Sequence, residues 1–254
     1  MKTNQTDTSI IDKPVIEIKN LKKSFGQQEV LKDVSLTVNN GENIAVLGKS
    51  GIGKSVLIQC IVGLLIPDSG SIMVLDENVA SLSRKELNVL RQKIGFLFQS
   101  GALYDSMTVK QNLVFPLRRI KKDLTEKEID EKVNDVLENV GLADALNKMP
   151  SQLSGGMRKR ISLARTIVVD PMIMLYDEPT TGLDPVTSDE ISSLIKEIQK
   201  KYKTSSIIIT HDIKCARNTA NRLIMLSDGE VFKEGTLEDF DNSTDPLIKS
   251  FFQA

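Results

Sequence analysis

The chain has 254 residues, 40% of them hydrophobic and 26% charged, and 33 basic against 34 acidic side chains leave a formal net charge of −1. That mix excludes a disordered chain, which would have too little apolar surface to offset its ordering entropy, and argues against a nucleic-acid binder, which would carry a basic excess. Aromatics are 4% with no Trp, which disfavours a base-stacking platform and an interfacial aromatic belt.

Residues 1–13 are polar, lack the apolar core of a secretory signal, and read as a flexible N-terminus. Val15, Ile16 and Ile18, then Val30 to Val38, are strand-like, and Asn39-Asn40-Gly41 is a turn. Ile44 to Leu47 is a continuous apolar run, fitting a strand buried on both faces. A glycine-rich loop follows, then an apolar helix from about Ser55 to Leu64, a break at Pro67 to Gly70, and a strand from Ser71 to Leu75. The apolar run Val56 to Ile66 is too short to span a membrane, which takes about 20 residues. The two cysteines, Cys60 and Cys215, form no disulfide framework or zinc spacing and read as inert packing, so a cytosolic location is expected.

The middle is helical. Ser83-x-x-Glu86, Thr108-x-x-Gln111 and Thr125-x-x-Glu128 read as capping boxes. In the third helix Ile129, Val133, Val136, Leu137 and Val140 share one face, and charges fill the other as a solvated surface. Another helix starts at Ser154, and Ile173 to Tyr176 is a second buried strand. Asp184-Pro185 reads as an N-cap with Pro at the first helical position, and Ile191, Leu194, Ile195, Ile198 and Tyr202 form that helix's stripe. Ile207 to Ile209 is a third buried strand, and Ile224 to Phe232 a hairpin about Asp228-Gly229. Buried strands alternating with helices predict an α/β fold with a mostly parallel sheet and flanking helices.

Gly48-Lys49-Ser50-Gly51-Ile52-Gly53-Lys54-Ser55 fits G-x-x-x-x-G-K-[ST] between a buried strand and a helix. Its glycines let the backbone curl its N–H groups inward, and the helix start adds partial positive charge, which makes an anion nest. Lys54 can reach the β and γ oxygens of a nucleotide, and the Ser55 hydroxyl can ligate Mg²⁺. Asp177 and Glu178 end an apolar strand at the edge where open α/β sheets place ligands. Asp177 would hold Mg²⁺ through a water, and Glu178 would orient and polarise the attacking water. His211, the only histidine, follows the third buried strand at the same edge and suits a γ-phosphate contact. Gln99, after the apolar stretch Ile94 to Phe98, could complete the Mg²⁺ shell.

Leu153-Ser154-Gly155-Gly156-Met157 opens a helix with a second cluster of free N–H groups. Here the chain resembles the ATP-binding-cassette family, whose signature is LSGGQ, with Met157 where Gln is usual. The resemblance covers about residues 15–235. It implies a P-loop NTPase core with an antiparallel β subdomain and an inserted helical subdomain. On that pattern 14–235 is the ATPase domain, about 99–165 its helical insertion, and 236–254 a C-terminal tail. Phe25 resembles the aromatic that stacks on adenine, Gln99 the glutamine hinge, Gly182-Leu183-Asp184 the D-loop and His211 the switch histidine. Val56 stands where the family often has Thr or Ser, so a hydroxyl to the α-phosphate is lost. The resemblance implies ATP and Mg²⁺ as cofactors and a head-to-tail homodimer, in which Ser154, Gly155 and Gly156 cap the γ-phosphate bound by the other copy.

The stretch from Phe98 to Val109 is similar to one in the ATPases of Mla/Mce-type lipid transporters. This narrower resemblance implies an MlaE-like membrane permease, an MCE-domain lipid-binding protein, a STAS-domain regulator, and a place on the cytoplasmic face of the inner membrane. The alternative is the ATPase of another transporter, such as one for amino acids or lipoproteins. Arg158, Lys159 and Arg160 point the same way, although physically they read as a solvated helix face. The tail's Phe240, Phe251 and Phe252 suit docking, either on their own domain or on a partner. A cassette ATPase acting on DNA or ribosomes is disfavoured by the absence of a long coiled-coil insertion and of a second cassette. A non-catalytic regulator is disfavoured because Glu178 and His211 are both present.

Overall fold

Alternating apolar residues pair the first two strands. In the computed structural model, which describes residues 13–252, β1 (Pro14–Phe25) and β2 (Gln28–Asn39) form an antiparallel ribbon. Ile16 faces Val38, Ile18 faces Leu36 and Leu21 faces Val34, all buried. The expected flexible N-terminus falls almost wholly outside the described residues. The next elements are β3 (Asn43–Leu47), α1 (Lys54–Ile61), β4 (Ser69–Val74) and β5 (Glu77–Asn78). The first helix stops at Ile61, short of the expected Leu64, because Gly63 turns into the left-handed region at φ +64°.

The helical stretch comprises α2 (Arg84–Arg91), the short strand β6 (Ile94–Leu97), α3 (Val109–Ile120), α4 (Glu126–Asn139) and α5 (Gly155–Ile167). Ser83, Thr108 and Thr125 each cap a helix in a reciprocal capping box, as their spacing predicts. The predicted face of α4 is buried throughout, from Ile129 to Val140. After it come β7 (Ile173–Asp177), α6 (Pro185–Tyr202), β8 (Ser205–Ile209), α7 (Ile213–Thr219), β9 (Arg222–Ser227), β10 (Glu230–Gly235), α8 (Leu237–Asp241) and α9 (Pro246–Phe252).

The strands order as β5-β4-β1-β2-β10-β9-β3-β8-β7-β6. The half from β9 through β3, β8 and β7 to β6 is parallel. The other half is antiparallel and joins through a single parallel pair, Glu230 with Asp33. The sheet is therefore mixed, with the parallel core and antiparallel subdomain that the cassette resemblance implies.

Successive side chains of the parallel strands feed opposite faces. Ile173 and Leu175 enter the core around α1 and the β subdomain, whereas Met174 and Tyr176 enter the core beneath α3 to α6. Each such fully buried side chain contributes about 2 kcal/mol. Burial on both faces explains why these strands read as unbroken apolar runs. The tail packs on its own body: Phe240 and Ile248 are buried with Leu47 and Met225, and Phe240 stacks on Phe252 at 5.5 Å. Arg217 of α7 ion-pairs with Asp241 and lies over the Phe252 ring. Cys60 and Cys215 are free and buried, and burial pushes both thiols up to about 11. Among the described residues no helix is long and apolar enough to cross a membrane.

Candidate functional site

The parallel strands bring the phosphate-nest and carboxylate residues to one edge of the sheet. Leu47 ends β3, and at two glycines the loop to α1 leaves no room for a side chain. Gly48 has φ +154°, and a Cβ there would lie 2.8 Å from the Leu226 carbonyl oxygen. Gly53 has φ +105°, and its Cβ would lie 2.9 Å from Val30 and Leu31. Lys54 opens α1 and is buried, its Nζ donating to the carbonyls of Gly48 (2.6 Å) and Lys49 (3.1 Å). The same Nζ lies 3.7 Å from Glu178 Oε1. Burial lowers the Lys54 pKa, and the charges of Glu178 and Asp177 oppose that fall.

The register of β7 against its neighbours aligns the rest. Asp177 pairs with Ile209 and Tyr176 with Leu97, so the loops holding Glu178, His211 and Gln99 leave the sheet at one level. Asp177 accepts a hydrogen bond from Ser55 Oγ at 3.0 Å, and burial raises its pKa despite that bond. Glu178 adopts φ +49°, a left-handed conformation that costs a non-glycine residue about 1 kcal/mol or more. Its own N–H donates to the Ile209 carbonyl at 2.9 Å, which holds the turn. Its Oε2 accepts from Thr181 Oγ1 at 3.0 Å and lies 2.8 Å from His211 Nδ1. An ionised carboxylate only accepts, so in that state Nδ1 carries the proton and Nε2 is left for another partner.

A cavity of about 630 Å³ opens above these groups, lined by Ser50, Gly51, Gly53, Lys54, Ser55, Val56, Gln99, Glu178 and His211, with Phe25 in its wall. Phe25 is 47% exposed, with Lys23 Nζ 5.5 Å from its ring centroid. Asp177 sits behind Ser55, Ile52 packs on the core, and Gly48 and Lys49 contribute the carbonyls that Lys54 holds. Val30 and Thr181 also line the cavity. Sequence reasoning missed both, and only Thr181, three residues after Glu178, had a local signal.

The second glycine cluster lies outside that cavity's lining. Ser154 caps α5, accepting from the Met157 N–H at 3.2 Å, and is exposed. A Cβ on Gly156 would meet Thr187 Cγ2 at 2.6 Å, so the glycine lets α6 start against α5. Asp184 caps α6, accepting from the Thr187 N–H at 3.0 Å and its hydroxyl at 2.6 Å. The Thr187 bonds hold the Asp184 carboxyl below its usual range.

The basic run after the signature departs from the expected solvated face. Arg158 is exposed, but Lys159 is 7% exposed, and half-buried Arg160 pairs with Glu190 at 2.7 Å. Lys159 points inward because its Nζ donates to the Gln99 carbonyl at 2.6 Å and the Glu178 carbonyl at 3.4 Å. Buried Asn112 of α3 pins the neighbouring loop, accepting from the Tyr104 N–H at 2.8 Å and donating to the carbonyls of Tyr104, Met107 and Thr108.

Comparison with known proteins matches residues 31–181 to the family described as ABC transporter. The chain is 38% identical to Protein TRIGALACTOSYLDIACYLGLYCEROL 3, chloroplastic, of Arabidopsis thaliana, over 93% of this chain and 73% of that protein. It is 41% identical to the probable ribonucleotide transport ATP-binding protein mkl of Mycobacterium leprae, over 93% of this chain and 68% of that one. Among solved structures it is similar to the dimeric post-hydrolysis state of the ATP-binding cassette MJ0796 bound to ADP and Pi. That likeness has a TM-score of 0.80 at 33% identity, covering 87% of this chain and 98% of the other.

Proposed function

The chain belongs to the ABC transporter family as an ATP-binding, ATP-hydrolysing subunit, and from that premise we propose that two copies close head to tail over two ATP molecules to drive a membrane permease that moves lipid. The observation that carries the dimer is the separation of two anion nests: one lines the cavity with Lys54 and Glu178, whereas the other, at Ser154, is exposed and lies outside it. In the proposed dimer each cavity is completed by the N–H groups of Ser154, Gly155 and Gly156 from the other copy, with Asp184 beside them. Preorganised donors of this kind stabilise charge that develops in the transition state.

Ser55 Oγ and Asp177 Oδ1 are hard oxygen donors 3.0 Å apart, and Gln99, which lines the cavity with Ser55, would offer its amide oxygen as a third, a set that suits Mg²⁺. When bound there, Mg²⁺ would neutralise charge on the β and γ oxygens. The backbone of residues 48–56 cradles the phosphates, and Lys54 exchanges its two carbonyl acceptors for phosphate oxygens. Phe25 supports the adenine. Glu178 takes a proton from the attacking water, and His211, anchored through Nδ1, presents Nε2 to the γ-phosphate.

The lipid reading rests on the stretch from Phe98 to Val109 and on a relative that carries a glycolipid's name. A second reading, nucleotide cargo, is favoured by the relative described as a ribonucleotide transporter. The proposed assembly places the chain on the cytoplasmic face of the plasma membrane, held by an MlaE-like permease, with MCE-domain and STAS-domain proteins as further partners. Residues 14–235 are the proposed ATPase unit, with 99–165 as its helical insertion and 236–254 as its tail.

The deciding experiment is Glu178→Gln. ATP turnover should fall at least about a hundredfold, the scale of removing a general base. The variant should still bind ATP and should accumulate an ATP-dependent dimer, measured by light scattering. A variant that binds ATP yet stays monomeric at saturation would rule out the closed dimer. Mass spectrometry of lipids and proteins that co-purify with the native complex tests the cargo and the partners.

A further inference from the structure

Three residues of α5 grip the segment that follows Gln99. Lys159 donates to the Gln99 carbonyl at 2.6 Å. One turn on, Ser162 fills the space beside Gly101, where a Cβ would come 2.5 Å from Ser162 Oγ. A further turn on, Arg165 donates to the Ala102 carbonyl at 2.7 Å and stacks its guanidinium on Tyr104 at 4.8 Å. The three-residue spacing puts all three side chains on one stripe of the helix. The gripped backbone is unusual, with Gly101 at φ +80° and Ala102, a residue with a side chain, at φ +50°.

Lys159 also reaches the Glu178 carbonyl at 3.4 Å, so one ammonium bridges two segments that meet at the cavity. Among the described residues no carboxylate lies within 4.0 Å of Nζ, so this buried charge is satisfied by carbonyl oxygens rather than by an ion pair. Burial lowers its pKa, and the nearby charges of Asp177 and Glu178 counter that effect. Lys159 stands one turn beyond Gly155 on the same face of α5. The helix that presents the exposed nest is therefore fastened, at its second turn, to the two segments that would sense nucleotide in its own chain.

We infer that Lys159 is a positioning residue: its ammonium locks α5 to the Gln99 and Glu178 backbones, so that ATP held in one chain's cavity sets where that chain's Ser154 nest is offered to the other copy. Arg165 is the second tie of the same clip. The inference rests on the head-to-tail dimer proposed above and adds a route by which each site informs the other. It differs from a structural role because it links a chain's own cavity to a surface used elsewhere.

The test uses the full chain with Lys159→Met, which keeps the stem and removes the donors, and Lys159→Gln, which restores amide donors without charge. Lys159→Met should lower kcat at least about tenfold while KM, the affinity for a fluorescent ATP analogue and the melting temperature change little. In a Glu178→Gln background it should raise the ATP concentration for half-maximal dimer at least about tenfold. Lys159→Gln should recover kcat to within about threefold of native. A native rate for Lys159→Met overturns the inference. So does a rate that falls in step with nucleotide affinity and melting temperature and is not rescued by Gln. Should Lys159→Met not fold, Arg165→Met decides: a drop of about threefold or more in kcat at unchanged ATP affinity supports the clip, and a native rate overturns it. If Glu178→Gln leaves ATP turnover unchanged, the parent reading fails. A chain sensitive at Glu178 but indifferent at Lys159 and Arg165 rejects only the clip.

Discussion

The two glycine nests of this chain differ in everything except their backbone chemistry. The nest at 48–55 has a buried lysine folded into it, two carboxylates behind it, and a histidine and a glutamine above it. The nest at 154–156 has one cap hydrogen bond and an exposed serine. The first gathers its chemistry from four strand ends of one sheet, whereas the second is displayed by one helix start that its own chain leaves open. Under the proposed function, similar backbone chemistry serves as a binding site or as half of an interface according to what the fold stacks around it.

Breaking each nest separately should give the largest effects. Lys54→Met removes the cation from the cavity and should weaken ATP binding about a hundredfold, the scale of losing charge-assisted bonds to phosphate, as measured by equilibrium dialysis. Ser154→Arg should abolish ATP hydrolysis yet leave monomer ATP affinity within about twofold, because that side chain lies outside the cavity lining. Mixing the two variants, at ATP high enough to fill the weakened Lys54→Met cavity as well, should restore turnover, because one composite site then combines an intact 48–55 loop with an intact 154–156 nest. A mixture that stays inactive at that concentration would count against the composite site.

A smaller effect separates function from stability behind the first nest. Burial raises the Asp177 pKa, so the native state holds this proton more tightly than the unfolded chain does. The stability Asp177 contributes is therefore present at low pH and is lost as pH rises from the unfolded value through the raised native one. At neutral pH its charge is a cost. Asp177→Asn should unfold at or above the native temperature at pH 7. That advantage should vanish on acidification. Mg²⁺ added with ATP should raise the melting temperature of the native protein further; the variant should lack that increment, and EDTA should remove it from the native protein. The smallest effect belongs to α4: Thr125→Ala removes one half of a capping box and should cost about 1 kcal/mol without changing ATP affinity.

Contiguous chemistry was the part legible in the sequence. The phosphate loop, the carboxylate pair after an apolar strand, and the three capping boxes depend on neighbours within a few residues, and each stands where the spacing puts it. The stripe of α4 was equally readable because one face of one helix decides it. What escaped depends on chain segments far apart. Lys159 lies within a basic run that looks solvated, and only its two distant carbonyl acceptors draw it inward. The left-handed turn at Glu178 and the short helix α7, capped by Asp212, have no periodic signal of their own. The tail's seat depends on the apolar surface that Leu47 and Met225 offer from strands much earlier and slightly earlier in the chain.

Both native sulfhydryls are buried and pushed up to about 11, which makes them poor nucleophiles toward maleimides and disulfide reagents. The wild-type background is therefore already silent for site-directed labelling. One cysteine engineered at an exposed position such as Glu238 could carry a spin label or a fluorophore without first stripping the chain of its own thiols, and distances between two copies could be followed through the ATP cycle.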